Sequence, residues 1–339
     1  MSIPYRTQQK MKRLAIALLI LLVVAVIVWG MWIIWLQRYV IYTRSEGAVI
    51  DFQQSETLPV GEMAVPSDTA PVEIYYNEGE NKINVGLELT QLNGYYITGD
   101  DLEEDANGVL EQVQLLTANT PVMVDVKSIY GNFFYSTSTG RPTSDVVPVA
   151  AVDELIKIFR TRNLYAIARV PALRDMEFGL DHSANGMAVE EGYLWMDDDG
   201  TYWLDPKEEG TISYLMSIAK ELQALGFHEV VFDEYYFPET EEVVFNGDKQ
   251  QTLESTAKLL VDNCASNTFT VSFVNDGSWT MPEGRTRVFR KDVNNPVELL
   301  KVAETLSVEN PSVNLVFITN NTDSRFDEYG VLRPLEQHR

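Results

Sequence analysis

From about Ile83 onward the chain alternates short apolar runs with amphipathic segments, and this alternation constrains the fold more than any other feature. Apolar runs of roughly four to eight residues read as buried strands, and apolar residues at helical spacing read as helices packed on them. Gly94–Thr98, Pro121–Val126, Tyr165–Val170, Glu229–Phe232, Phe269–Val274, Arg287–Phe289 and Val313–Ile318 are of the first kind. Asp101–Thr117, Val152–Arg162, Thr211–Leu225, Leu253–Asn263 and Pro296–Ser307 are of the second, with Asp100 as the cap of the first helix. Ile212, Leu215, Met216, Ala219 and Leu222 share one face of the helix that Gly226 stops. Repeated strand–helix pairs give parallel βαβ units, and a stretch of roughly 255 residues suits one (β/α) barrel. No glycine-rich phosphate loop follows the first strand, so a nucleotide-binding sheet lacks its fingerprint. The expected fold is therefore an α/β chain with a TIM-type (β/α) barrel. Seven strands are legible where closure needs eight; Val85–Leu89 is the candidate for the eighth, and an incomplete or degenerate barrel is the alternative.

A second feature lies near the start. Leu14 to Leu36 is 23 residues long and has no charged side chain. As a helix it spans about 34 Å, enough for a hydrocarbon core of roughly 30 Å. Trp29, Trp32 and Trp35 crowd its C-terminal end, where aromatic rings favour the interface. Arg6, Lys10, Lys12 and Arg13 precede the span and only Arg38 and Arg44 follow closely, which predicts a cytoplasmic N-terminus. The span is too long for a signal-peptide core and ends in bulky residues, so an uncleaved anchor is expected. The expected organisation is a cytoplasmic tail at 1–13, a transmembrane helix at 14–36, an extracytoplasmic linker at 37–82 and the barrel at 83–339. Pro59, Pro66 and Pro71 mark the linker. The membrane is thus one expected partner, through a single pass with the barrel outside.

Charge and composition narrow the function. The chain carries 50 Asp+Glu against 26 Lys+Arg, a net charge of −24, and no acidic residue precedes Glu46. Nucleic acid is excluded as the main partner, because phosphate binding needs a basic footprint. The single cysteine, Cys264, excludes an intramolecular disulfide framework and a cysteine-based zinc site, and reads as a buried helix residue. His182, His228 and His338 show no metal-ligand spacing, and His228 reads as a solvated turn residue. No metal or cofactor is called for.

Active sites of such barrels form at the C-terminal strand ends. Asp125 and Lys127 leave the second strand, Arg169 ends the third, Asp233 and Glu234 end the fourth, and Asn275 and Asp276 end the fifth. Tyr193–Asp205 has Asp-Gly between aromatic runs, a hairpin signal, with Trp195, Tyr202 and Trp203 offering faces to sugar rings or pairing across the hairpin. The Asp197–Asp199 run lacks calcium-loop spacing and reads as a turn.

Several ordered blocks resemble a family of bacterial glycosyl hydrolase domains, TIM barrels related to glycoside hydrolases. They are Asn93–Gly99 (NGYYITG), Val122–Lys127 (VMVDVK), Tyr165–Val170 (YAIARV) with Arg174-Asp175, Trp195-Met-Asp197 with Trp203–Pro206, and Gly226–Pro238 (GFHEVVFDEYYFP). The resemblance covers about residues 93–238 and fades beyond. It implies a barrel, a glycan or polysaccharide substrate, and site positions at Asp125, Arg169, Asp233 and the Trp203–Pro206 loop, with Asp205 in it. Where the family has Tyr after the Asp and Arg three positions on, this chain has Glu234 and Tyr236.

Glycoside hydrolysis needs two carboxyl groups, an acid and a nucleophile or base. Asp233 is expected as nucleophile or base, kept ionised by Arg169; the acid is left among Glu234, Asp125 and Asp276. On an extended strand Asp233 and Glu234 would point to opposite faces. Lys127, Trp195, Trp203, Asp205, Tyr236 and Asp276 are the expected substrate-binding set. Asp233→Asn is expected to abolish activity with little change in melting temperature. The competing function is a surface-tethered barrel without catalysis that binds glycan or protein, for which the departures at Glu234 and Tyr236 speak.

Overall fold

The computed structural model describes residues 40–43, 47–50, 88–291 and 293–335. The Leu14–Leu36 span lies outside them, and among the described residues no helix is long and apolar enough to cross a membrane. Within the stretch read as a linker, β1 (Val40–Thr43) and β2 (Gly47–Ile50) pair antiparallel.

Eight parallel strands close a barrel: β3 (Asn93–Ile97), β4 (Pro121–Asp125), β5 (Tyr165–Pro171), β6 (Glu229–Asp233), β7 (Thr270–Val274), β8 (Val288–Arg290), β9 (Leu315–Ile318) and β10 (Gly330–Pro334). Every residue of β6 is buried, as expected of a strand covered on one face by helices and on the other by the barrel core. The eighth strand is β10, which pairs with β9 on one side and with β3 on the other, from Val331↔Asn93 to Pro334↔Tyr96. Val85–Leu89 does not supply it: its described part, 88–89, is not strand. The barrel is therefore neither open nor degenerate in topology. Closure is tight at Gly94, where any Cβ would stand 2.0 Å from the Pro121 carbonyl oxygen.

The helices follow the apolar periodicity. Helix α1 (Gly99–Gln114) is capped by Thr98 rather than Asp100: the Thr98 hydroxyl accepts from Asp101 N–H while the Asp101 carboxylate accepts from Thr98 N–H, a reciprocal capping box. The other barrel helices are α2 (Val149–Thr161), α4 (Glu209–Leu225), α5 (Lys249–Cys264) and α6 (Leu299–Leu306), with short α3 (Met176–Asp181) and α7 (Pro311–Asn314). Gly226 ends α4 in the left-handed conformation at φ 94°, and Leu215, Ile218, Ala219 and Leu222 are its buried stripe. Cys264 is buried at the end of α5. His228 departs from expectation. Its ring stacks on Tyr165 with centroids 5.1 Å apart, its Nδ1 accepts from Ala166 N–H at 3.2 Å, and burial pushes its pKa down.

Side chains inside the barrel form three layers, because alternate residues of each strand point inward. The middle layer is apolar: Leu92, Met123, Ile167, Val231, Phe289, Val316 and Leu332. Below it, at the N-terminal end, Arg287 and Glu229 form a fully buried ion pair at 2.5 Å. Glu229 also accepts from Tyr165 Oη at 3.0 Å and Ser272 Oγ at 2.5 Å, and Arg287 donates to the Thr90 and Val313 carbonyls. Above it, two residues further along the same strands, lie Arg169 and Asp233.

Candidate active site at the C-terminal rim

Strand register sets the first part of the site. Asp125 of β4 lies beside Arg169 of β5, and Asp233 ends β6 next door. Arg169 donates from Nη1 to Asp125 Oδ1 at 2.9 Å and from Nε to Asp233 Oδ2 at 2.8 Å, so one guanidinium joins both carboxylates. The two acids nonetheless diverge. Burial pushes the Asp125 carboxyl above its ordinary value, and Arg169 and the Gly99 N–H only partly offset this. Burial pushes Asp233 up too, but Arg169 and Lys291 together outweigh it and hold the Asp233 carboxyl below the usual range. Asp233 is thus kept ionised at neutral pH, as the sequence predicts, although its side chain is only 1% exposed.

Glu234 sits differently from the strand-based expectation. The strand ends at Asp233, and Glu234 takes a left-handed backbone at φ 50°, which is uncommon for a residue with a Cβ. The turn brings both acidic side chains to one cation. Lys291 Nζ lies 3.0 Å from Asp233 Oδ1 and 3.1 Å from Glu234 Oε1. Tyr236 donates its hydroxyl to Glu234 Oε2 at 2.8 Å. Lys291 follows β8, a three-residue strand, and no sequence motif marks it. Its place depends on which strands neighbour which, so it was visible only once the barrel order was known.

Asp233 and Lys291 line an open cleft of about 990 Å3, and Glu234 lies just behind its lining. One wall is the Tyr193–Asp205 segment, where the expected hairpin is present with Met196 opposite Tyr202. Asp197 organises its turn, accepting from Thr201 N–H at 2.9 Å, Trp203 Nε1 at 2.8 Å and Arg174 Nε at 2.7 Å. Burial opposes this, but the Thr201 and Arg174 bonds prevail and pull the Asp197 carboxyl down to about 2. The Arg174 guanidinium lies 5.7 Å from the Trp203 ring centroid. Trp195, Trp203, Tyr236 and Trp279 all line the cleft, and Asp276 stands exposed at its edge.

Two expected substrate contacts do not reach the cleft. Lys127 is buried, its Nζ 2.8 Å from the equally buried Asp175, which also caps α3 and accepts from Tyr214 Oη at 2.8 Å. Its chain passes under the rim, so its charge braces two loops instead of facing solvent. Asp205 is buried too, with Oδ1 accepting from Lys207 N–H at 2.9 Å in the turn before α4. Asp125 and Arg169 lie behind Asp233 and do not line the cleft. Among the described residues no group of three or more His, Cys, Asp or Glu is placed to hold a metal ion.

A family model described as "Putative glycosyl hydrolase domain" matches residues 94–270, a little over half of the chain. The chain belongs to that family. The match continues past Pro238 through α5 to the start of β7, so the family likeness does not stop where the sequence blocks fade. No curated protein matches the chain of this glycosyl hydrolase domain protein. Solved structures similar to it include a hypothetical protein from Ruminiclostridium thermocellum, 23% identical, covering 52% of this chain and 96% of that one with a TM-score of 0.45. An α-galactosidase from Geobacillus stearothermophilus is 12% identical, covering 73% and 40% with a TM-score of 0.48. An exo-β-N-acetylglucosaminidase from Vibrio harveyi is 8% identical, covering 67% and 41% with a TM-score of 0.49. The glycosyl hydrolase domain protein thus spans less than half the length of either named glycosidase.

Proposed function

We propose that this glycosyl hydrolase domain cleaves glycosidic bonds in an envelope or extracellular polysaccharide, with Asp233 as nucleophile or base and Glu234 as its acid partner. The observation that carries the proposal is the left-handed backbone at Glu234, which brings two successive carboxylates to one ammonium, that of the cleft-lining Lys291. Strained backbone of this kind costs on the order of 1–3 kcal/mol and concentrates at functional sites. Asp125, whose carboxyl burial pushes up, is the other acid candidate, across Arg169 from Asp233. Asp276 is a poorer one: burial raises its pKa, but bonds from Ser278 outweigh it and hold the carboxyl low. The shared ammonium keeps the nearest Asp233 and Glu234 oxygens within about 6 Å, short of the 6.5–9.5 Å or so of an inverting pair. Trp195, Trp203 and Tyr236 supply faces for sugar rings, and the net charge of −24 favours neutral or cationic glycans.

The Leu14–Leu36 span and its basic N-terminal flank support an anchored protein with the barrel outside the cytoplasm. Protease added to intact cells should then remove the barrel, and protection of the barrel would reverse the assignment.

One observation favours a second reading, a binding module without turnover. Both oxygens of Asp233 are already engaged by Arg169, Lys291 and the Glu234 N–H, which is also what a saturated structural network looks like. A glycan hydrolysis screen of the full-length chain beside glycan-array binding separates the two. Turnover lost in Asp233→Asn supports the enzyme; binding without turnover on every glycan tested supports the module.

A further inference from the structure

Lys291 reaches the cleft floor from β8, two places round the barrel from the strand that carries Asp233. Its ammonium meets three carboxylate oxygens: Asp233 Oδ1 and Oδ2 at 3.0 Å each, and Glu234 Oε1 at 3.1 Å. An ammonium has three donors, so the whole hydrogen-bonding capacity of this group is directed at the pair. Arg169 pairs with Asp233 from the other side but also serves Asp125, and its ion pairs do not extend to Glu234. Arg174, the next cation on the cleft wall, is held by Asp197 and Asp199. Lys291 is therefore the cation that the two carboxylates share. Asp233 is the more deeply buried of the two, so its charge depends on the cations that face it.

We propose that Lys291 is a positioning residue for glycosidic cleavage, holding Asp233 as the charged nucleophile or base at the cleft with Glu234 fixed beside it. This rests on the reading of the site as a glycosidase.

The test uses the full-length chain with Lys291→Met and Lys291→Gln, which remove the charge, and Lys291→Arg, which keeps it. The first readout is the side-chain carboxyl 13C titration of Asp233. Loss of the charge should raise the proton affinity of Asp233 about tenfold or more, whereas Lys291→Arg should stay near the wild type. Folded Lys291→Met or Lys291→Gln chains with unchanged titration would overturn the proposal. So would a wild-type Asp233 that titrates near neutral pH, a result that needs no variant. The second readout is the pH profile of kcat/KM on any glycan that is turned over. Its acid limb should move upward in the neutral variants, by the same amount as the titration. A purely bracing role would lower the melting temperature and leave that limb in place. Absence of turnover in the wild type would count against the glycosidase reading, while the carboxyl titration would still decide what Lys291 does.

Discussion

Trp203 packs edge-on against Tyr236, with ring centroids 5.1 Å apart and planes at 65°. Because Tyr236 also bonds Glu234, the hairpin wall is mechanically tied to the cleft floor. Trp195 stands further out on the same wall, its indole donating to Glu242 at 2.8 Å, and is only partly buried. The two tryptophans should therefore respond differently to removal. Trp195→Ala should weaken glycan binding about tenfold with little effect on melting, consistent with a stacking contribution of about 1–2 kcal/mol. Trp203→Ala should lower stability by about 3–5 kcal/mol and reduce binding as well. Calorimetric melting beside glycan titration checks both, and equal losses of stability would contradict the assignment of Trp195 to the substrate.

Asp233→Asn should abolish turnover but will not leave the melting temperature unchanged, contrary to the sequence-based expectation. The carboxylate is buried between two cations, and neutralising it leaves Arg169 with Asp125 and Lys291 with Glu234 as their remaining partners. Removing one member of a buried ion pair costs about 3–5 kcal/mol when its partner is orphaned. Here each cation keeps another carboxylate, so about 1–3 kcal/mol is expected. Activity should therefore be assayed well below the melting point of the variant, which denaturant unfolding will fix.

At the opposite end of the barrel, Glu229→Gln or Arg287→Met should each destabilise by about 3–5 kcal/mol, since either leaves a fully buried charge unpaired. The rim should be unaffected, because the apolar layer of Met123, Ile167, Val231 and Phe289 lies between. Denaturant midpoints measured beside the Asp233 carboxyl titration test this. A shifted Asp233 titration in either variant would show that the layers are coupled.

Acid stability should depend on Asp197. Its folded pKa, about 2, lies below the unfolded value near 4, so its contribution is present above pH 4 and is lost as pH falls from about 4 toward 2. Asp233, also depressed, acts in the same direction; Asp125, raised, acts in the opposite one. Melting temperature should fall across this window in the wild type and fall less in Asp197→Asn. Parallel curves for the two proteins would rule out Asp197 as a source of the slope.

The strands that sequence patterning exposes most clearly are those with three or more consecutive apolar or β-branched residues, such as VMV and VVF. β10 escaped because Gly330, Arg333 and Pro334 dilute its apolar content to two residues, although the sheet needs only its backbone. Thr98 displaced Asp100 as cap through a reciprocal bond with Asp101, a distinction of two positions that residue type alone does not resolve. Asp125, Arg169, Asp233 and Glu234 were legible as rim residues because strand ends map onto the rim, though of these only Asp233 lines the cleft. Lys127 was misplaced by the same rule: it lies beyond its strand, where the chain has already turned toward Asp175. The pairing of Glu234 with Lys291 depended on a single left-handed φ and on the order of strands round a closed ring, and neither leaves a trace in residue pattern.

The pairing of β10 with β3 has a consequence for how the protein is made. Asn93 finds its partner in Val331, about 240 positions later, so the ring stays unclosed until nearly the whole barrel has been synthesised. Until then the growing chain carries β3 as a bare sheet edge, able to accept a strand from another copy. A ribosome stalled before residue 330 would release a sheet with two free edges, prone to self-association.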